Sequence, residues 1–229
     1  GKSTPAIHSK SQHGQTETIC QDIPALIDFV LKHSGHKQLH LVAHSWGGVY
    51  INSSLVRFPE LIPKVISGVY FGSKRRVRVK NLDRLIKIEV FWNRLGRIAS
   101  RRTGYLPGIK MKMGSENEPN KTHQQCVQWV KKDAWKDSDD GFDYAKSAQQ
   151  TQLPPILYYA AINDLSLGHR SDVKLFMNES DASTASYQLL SRKAGHQLDY
   201  DHLNMLTAAE AVNDHFPQLL KYMQSRETT

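Results

Sequence analysis

Three features of this sequence predict an α/β fold, a mostly parallel sheet flanked by helices. A short apolar run, Leu39-His40-Leu41-Val42-Ala43, turns abruptly into a helical pattern at Ser45. A second apolar run, Val65 to Phe71, comes one helix later, which is the spacing of a right-handed crossover. Strand, helix and strand patterns then return near the C-terminus, after about 80 residues that break the rhythm. A chain of 229 residues with 39% hydrophobic content suits one substantial core carrying an insertion better than two large domains.

Taken in order, residues 1–18 are polar and predict a loop. Ile19, Ile23, Leu26, Ile27, Val30 and Leu31 recur at helical spacing, with Pro24 tolerated near the start and Gly35 as the stop. The run at 39–43 is short and flanked by breakers, as a covered strand of a parallel sheet would be. Val49, Leu55, Val56 and Phe58 continue a helix up to Pro59, and Gly72 closes the strand at 65–71. Further on, a strand is expected at Ile156–Ala160, a helix from about Arg170 to Met177 and a strand at Tyr187–Ser191. A last helix around Leu203–Tyr222 carries an expected interruption at Pro217.

The stretch between Gly72 and Pro154 is too long for an ordinary crossover. Ile88, Phe91, Leu95 and Ile98 form a narrow apolar stripe beside Arg94, Arg97 and Arg101, so an amphipathic helix is expected there. Gly104, Pro107, Gly108, Gly114 and Pro119 interrupt the chain beyond it, before a second helix with Cys126, Val127, Trp129 and Val130. The organisation expected is therefore a core from 1–72 and 154–229, with 73–153 inserted as a cap or lid over one end of the sheet.

The net charge of +8 is concentrated: residues 74–112 hold 13 Lys or Arg against Asp83 and Glu89 alone. Such a field suits contact with an anionic surface or steering of an acidic substrate. Neither zinc-finger spacing nor a glycine-rich RNA-binding signature accompanies it, which argues against nucleic acid as the partner. Two cysteines, Cys20 and Cys126, lack metal-ligand spacing and favour a reducing, cytoplasmic setting. No apolar run approaches 18 residues.

A serine hydroxyl attacks well only when a base removes its proton. At a tight strand-to-helix elbow the residues two before and two after the nucleophile are expected to be small, and Ala43 and Gly47 are. The backbone N–H of Trp46 is then an oxyanion donor. Asp164 lies just beyond the strand at 156–160, where a βα loop begins, and suits the acid that orients an imidazole; Asp172 is the second choice. Two histidines after the last strand compete as the base, His196 and His202. The order serine, aspartate, histidine is the one such a site requires.

Leu41-Val42-Ala43-His44-Ser45-Trp46-Gly47-Gly48 resembles the nucleophile elbow of the α/β-hydrolases. Tyr200-Asp201-His202-Leu203-Asn204-Met205-Leu206 is similar to the segment around the catalytic histidine in the acid lipase branch, a Tyr-Asn-His-Leu-Asp-Phe type of sequence. The resemblance implies Ser45 as nucleophile, Asp164 as acid and His202 as base, acting on a small-molecule or lipid ester through an acyl-enzyme, with no metal or organic cofactor. It also implies that Gly1-Lys2-Ser3 corresponds to the Gly-x-Ser segment after the fourth strand, so that an upstream segment or a partner chain completes the fold and supplies the second oxyanion donor.

Two rival expectations remain. One is a non-catalytic binding or structural module retaining the fold. The other is anion or nucleic-acid binding through Arg75, Arg76, Arg78 and the Arg94–Arg102 cluster.

Overall fold

The computed structural model describes residues 4–180 and 183–227; Gly1-Lys2-Ser3 lie outside the described residues. Helical structure begins at Gln15, earlier than the polar composition predicts, because Glu17 accepts from the Gly14 N–H at 2.6 Å and closes the first turn. Gln15–Glu17 and Thr18–Asp22 run into α1 (Ile23–Ser34), which Gly35 ends at φ +73°. Then come β1 (Leu39–His44), α2 (Trp46–Arg57) and β2 (Val65–Phe71).

After β2 comes α3 at 82–103, built of Leu82–Arg84, Leu85–Gly96 and Arg97–Thr103 and capped by the Asn81 side chain. A two-stranded antiparallel pair, β3 (Tyr105–Leu106) and β4 (Glu118–Pro119), leads into α4 (Asn120–Lys131) and α5 (Tyr144–Ala148). The chain finishes with β5 (Ile156–Ala161), α6 (Arg170–Ser180), β6 (Ala185–Leu190) and α7 (His215–Glu227).

Among the described residues, four strands form one parallel sheet in the order β1-β2-β5-β6. The pairings His44↔Phe71, Phe71↔Tyr159 and Ala161↔Leu190 bring all four C-terminal ends to one edge. Alternation along the strands splits the core in two. Tyr70, Ile156, Tyr158 and Ala160 face a cluster with Val49, Leu55, Val173 and Phe176. Val69, Phe71, Leu157, Tyr159 and Ala161 face Tyr200, Met205 and the Phe216, Leu219 and Met223 side of α7.

Two sequence expectations need correction. β1 is not covered: it lies at the outside of the described sheet, with Val42 54% exposed and only Ala43 buried. The C-terminal helix does not break at Pro217, which falls in the first turn of α7 where a missing N–H has no intrahelical acceptor to lose. The break comes earlier, at Ala208 and at Asp214 (φ −117°, ψ −95°).

The amphipathic helix expected from this stripe is present as α3, and of the stripe only Ile88 is buried while Phe91, Leu95 and Ile98 are exposed. Residues Leu85–Gly96 are wound as a π-helix, with i→i−5 bonds, so a stripe read at the α period drifts off the inner face.

The segment after β2 is tied to the core by Arg75, which is 1% exposed. Its guanidinium donates to the carbonyls of Trp129, Lys132, Asp133 and Ala134 at 2.9–3.4 Å and to both oxygens of Glu179 at 3.0 Å. Arg76 pairs with Asp133 and Glu179, and Arg78 with Asp133 at 2.5 Å. The arginines expected to form a free anion patch at 75–78 are therefore engaged by acids of the same chain.

Candidate active site

The elbow begins where β1 ends. Ser45 has φ +54° and ψ −121°, a conformation that costs a non-glycine residue about 1–3 kcal/mol and is held by its N–H donating to the Phe71 carbonyl at 2.7 Å. This turn lifts Oγ off the end of the sheet and makes Trp46 the first residue of α2. The steric demand falls one residue later than expected. A Cβ on Gly47 would meet Ala43 at an ordinary 3.5 Å, whereas one on Gly48 would lie 2.4 Å from Ser73 Oγ and 2.8 Å from its Cβ.

His202 Nε2 lies 3.1 Å from Ser45 Oγ, and its Nδ1 lies 2.5 Å from Asp164 Oδ2. Asp164 sits in the loop after β5, and its Oδ1 accepts the Leu167 N–H at 2.8 Å. Burial alone would raise the Asp164 carboxyl; the hydrogen bond and charge of His202 and the Gly168 N–H outweigh it and hold the group below the usual carboxylate range. An ionised Asp164 only accepts, so the proton between the pair sits on His202 Nδ1 and leaves the Nε2 lone pair toward the serine. Three side chains separated by 157 and 38 residues thus form one hydrogen-bonded chain.

His44, beside the serine in sequence, points elsewhere. Its Nε2–H donates to the His202 backbone carbonyl at 2.9 Å, and the two rings lie 4.5 Å apart. Burial, then the neighbouring His202, lowers its pKa and keeps it neutral. It therefore braces the His202 loop.

His196, the other histidine weighed as base, is not brought to Ser45. Its Nδ1 lies 2.8 Å from Asp214 Oδ1, and Asp214 Oδ2 accepts from the Gln197 N–H and the Tyr200 hydroxyl, each at 2.9 Å. Burial pushes Asp214 up, but these three donors hold it below the ordinary range. His196, Asp214 and His215 also form the one grouping of described residues with a metal-type donor set, their ligand atoms within 4.8 Å of one another. Its hydrogen bonds make it a staple between the loop after β6 and the start of α7. Asp172, the second choice of acid, instead accepts the backbone N–H groups of Arg78 and Val79.

Sequence reasoning missed the glycines that let these parts close together. A Cβ on Gly168 would lie 2.5 Å from the Gly72 carbonyl oxygen and 2.8 Å from Asp164 Oδ2. One on Gly72, itself at φ +59°, would lie 3.0 Å from His202 Nδ1. The available signal was a glycine at the end of β2 and another four residues after Asp164. Lys74 was missed as well: it is 7% exposed, its ammonium is 5.6 Å from the Trp46 ring, and it has no carboxylate partner among the described residues.

No protein-family model matches the chain, and no curated protein matches it. Solved structures do. A monoacylglycerol lipase from Paleococcus ferrophilus superposes with a TM-score of 0.56 at 11% identity, over 93% of this chain and 76% of that one. A thermophilic esterase from Thermogutta terrifontis gives 0.55 at 12% identity, over 95% and 75%. A meta-cleavage product hydrolase from Pseudomonas fluorescens gives 0.53 at 12% identity, over 95% and 74%. With its parallel sheet, its elbow after β1 and these likenesses, the chain has the α/β-hydrolase fold.

Proposed function

We propose that the chain is a serine hydrolase that cleaves a carboxyl ester by two-step acyl transfer. The observation that carries this reading is the continuous path from Ser45 Oγ through the His202 ring to Asp164. His202 Nε2 takes the hydroxyl proton as Oγ attacks the ester carbonyl, and the imidazolium so formed is stabilised by Asp164. It then delivers that proton to the leaving alcohol. In the second half, His202 takes a proton from water, the resulting hydroxide attacks the acyl-enzyme, and Ser45 regains its hydrogen.

The Trp46 N–H heads α2, where the first amides have no intrahelical acceptor and the helix dipole is positive. It supplies one oxyanion donor; a donor of this kind is worth about 2.7–4 kcal/mol. In this reading residues 73–153 are the cap over the site, 1–72 and 154–229 are the core, and small-molecule or lipid esters are the substrates. The free thiols of Cys20 and Cys126 support a cytoplasmic setting.

An organophosphonate probe tests the proposal. Labelling at Ser45, lost in Ser45→Ala and His202→Ala variants with unchanged circular dichroism, is the expected result. A folded wild-type chain that the probe leaves untouched would instead support a non-catalytic module with this fold, since binding alone needs no activated hydroxyl.

A further inference from the structure

The helix α3 wears its apolar side outward. Leu82, Leu85, Ile86, Val90, Phe91, Leu95 and Ile98 are between 36% and 68% exposed, while the residues it buries are Ile88, Asn93, Gly96 and Ser100. A helix that meets only water has the opposite arrangement. Seven large hydrocarbon side chains on one element form a patch of the kind that marks an interaction surface.

The charges around this patch differ from the other basic residues nearby. Arg75, Arg76 and Arg78 are engaged by Glu179 and Asp133, Arg84 by Glu89 and Lys87 by Asp83. Arg94, Arg101 and Arg102 are exposed and make no ion pair with a described acid, whereas Arg97 is half-buried and lines a cleft with Gln124, Gln128 and Lys131 of α4. Free cations beside an outward apolar face are the pattern of a helix lying in the headgroup region of a membrane. A second protein would also cover hydrocarbon, but three exposed arginines with no acid paired to them among the described residues favour a surface that is anionic throughout.

The orientation fits. The Asn81 side chain donates to the Leu165 carbonyl at 2.7 Å and Ser166 Oγ to Asp83 at 2.5 Å, which pins the start of α3 beside the loop that carries Asp164. Leu165 and Leu203, the residues immediately after Asp164 and His202, are 50% and 63% exposed. The apolar face of α3 therefore starts next to the rim of the Ser45 site.

We propose that α3 docks the protein on an anionic phospholipid surface, with its seven apolar side chains at the acyl boundary and Arg94, Arg101 and Arg102 among the lipid phosphates. Docking of this kind does not depend on whether Ser45 turns over an ester.

Co-sedimentation of the full chain with vesicles tests it. Wild type is expected to pellet with phosphatidylcholine vesicles containing phosphatidylserine and to stay in solution with phosphatidylcholine alone. Phe91→Asp with Leu95→Asp should weaken binding at least tenfold. Arg101→Gln with Arg102→Gln should weaken it about fivefold per arginine, increasingly masked as salt is added. Because all four side chains are exposed, circular dichroism and Tm should not move. The proposal is overturned if wild type ignores both vesicle types or if the variants pellet as it does. It is also overturned if sedimentation equilibrium shows a dimer that the Asp substitutions dissolve while vesicle binding is absent, because the face would then belong to a second copy of the chain.

Discussion

Two buried histidine–aspartate pairs occur among the described residues, and they look alike until the second ring nitrogen is considered. His202–Asp164 closes at 2.5 Å and His196–Asp214 at 2.8 Å, and in both pairs the carboxyl is held below its usual range against the pull of burial. His202 has Ser45 Oγ at 3.1 Å on its other nitrogen. His196 has no hydroxyl there among its hydrogen bonds, and its aspartate is shared with Tyr200 and the Gln197 amide. An imidazole–carboxylate couple is thus a structural part that the fold uses twice; what sets one apart is its place over a strained elbow.

The sharpest way to break this comparison is to remove each ring. His202→Ala should lower ester turnover by about 10⁶-fold, while His196→Ala should keep kcat and lose stability; comparable loss of kcat in both would erase the distinction. Removing the carboxylates is expected to separate them less. Asp164→Asn should cost about 10⁴-fold in kcat, because the amide no longer fixes the Nδ1–H tautomer. Asp214→Asn should cost about 3 kcal/mol in denaturant unfolding, as three donors lose a charged acceptor, with kcat unchanged.

Acid titration of stability distinguishes the pairs from ordinary surface acids. Both carboxyls are lowered on folding, so the stability they add is present above their unfolded pKa and is lost as pH falls through their depressed folded values. Wild type should therefore weaken steeply on the acid side of about pH 4, and each Asn variant should show a shallower acid limb. The smallest effect is expected for Tyr200→Phe, about 1 kcal/mol of stability with no change in the pH–rate profile.

Much of the sheet was legible because its signal is local. Val65–Phe71 is found with the expected bounds, and Ile156–Ala160 extends by one residue. Runs of this kind, buried on both faces, are continuous in sequence. The choice between His196 and His202 was not local: it rests on which loop residue reaches Ser45 across the sheet edge, and only the resemblance of residues 200–206 favoured one. Which face of α3 turns outward was not legible for a different reason. Periodicity reports that a helix has two faces, not which of them meets the core, and a π-wound stretch spoils the period itself. Arg75–Arg78 looked like open charge because their acids, Asp133 and Glu179, lie over 50 residues away in sequence.

The ring of His202 and the loop bearing Asp164 close over Gly72 and Gly168 with less clearance than one methyl group needs. Every replacement of glycine by another amino acid adds at least a Cβ at these two positions. At both positions, therefore, no amino-acid replacement leaves the spacing of Asp164, His202 and Ser45 untouched, and variation at this edge of the sheet has to proceed through the residues around it.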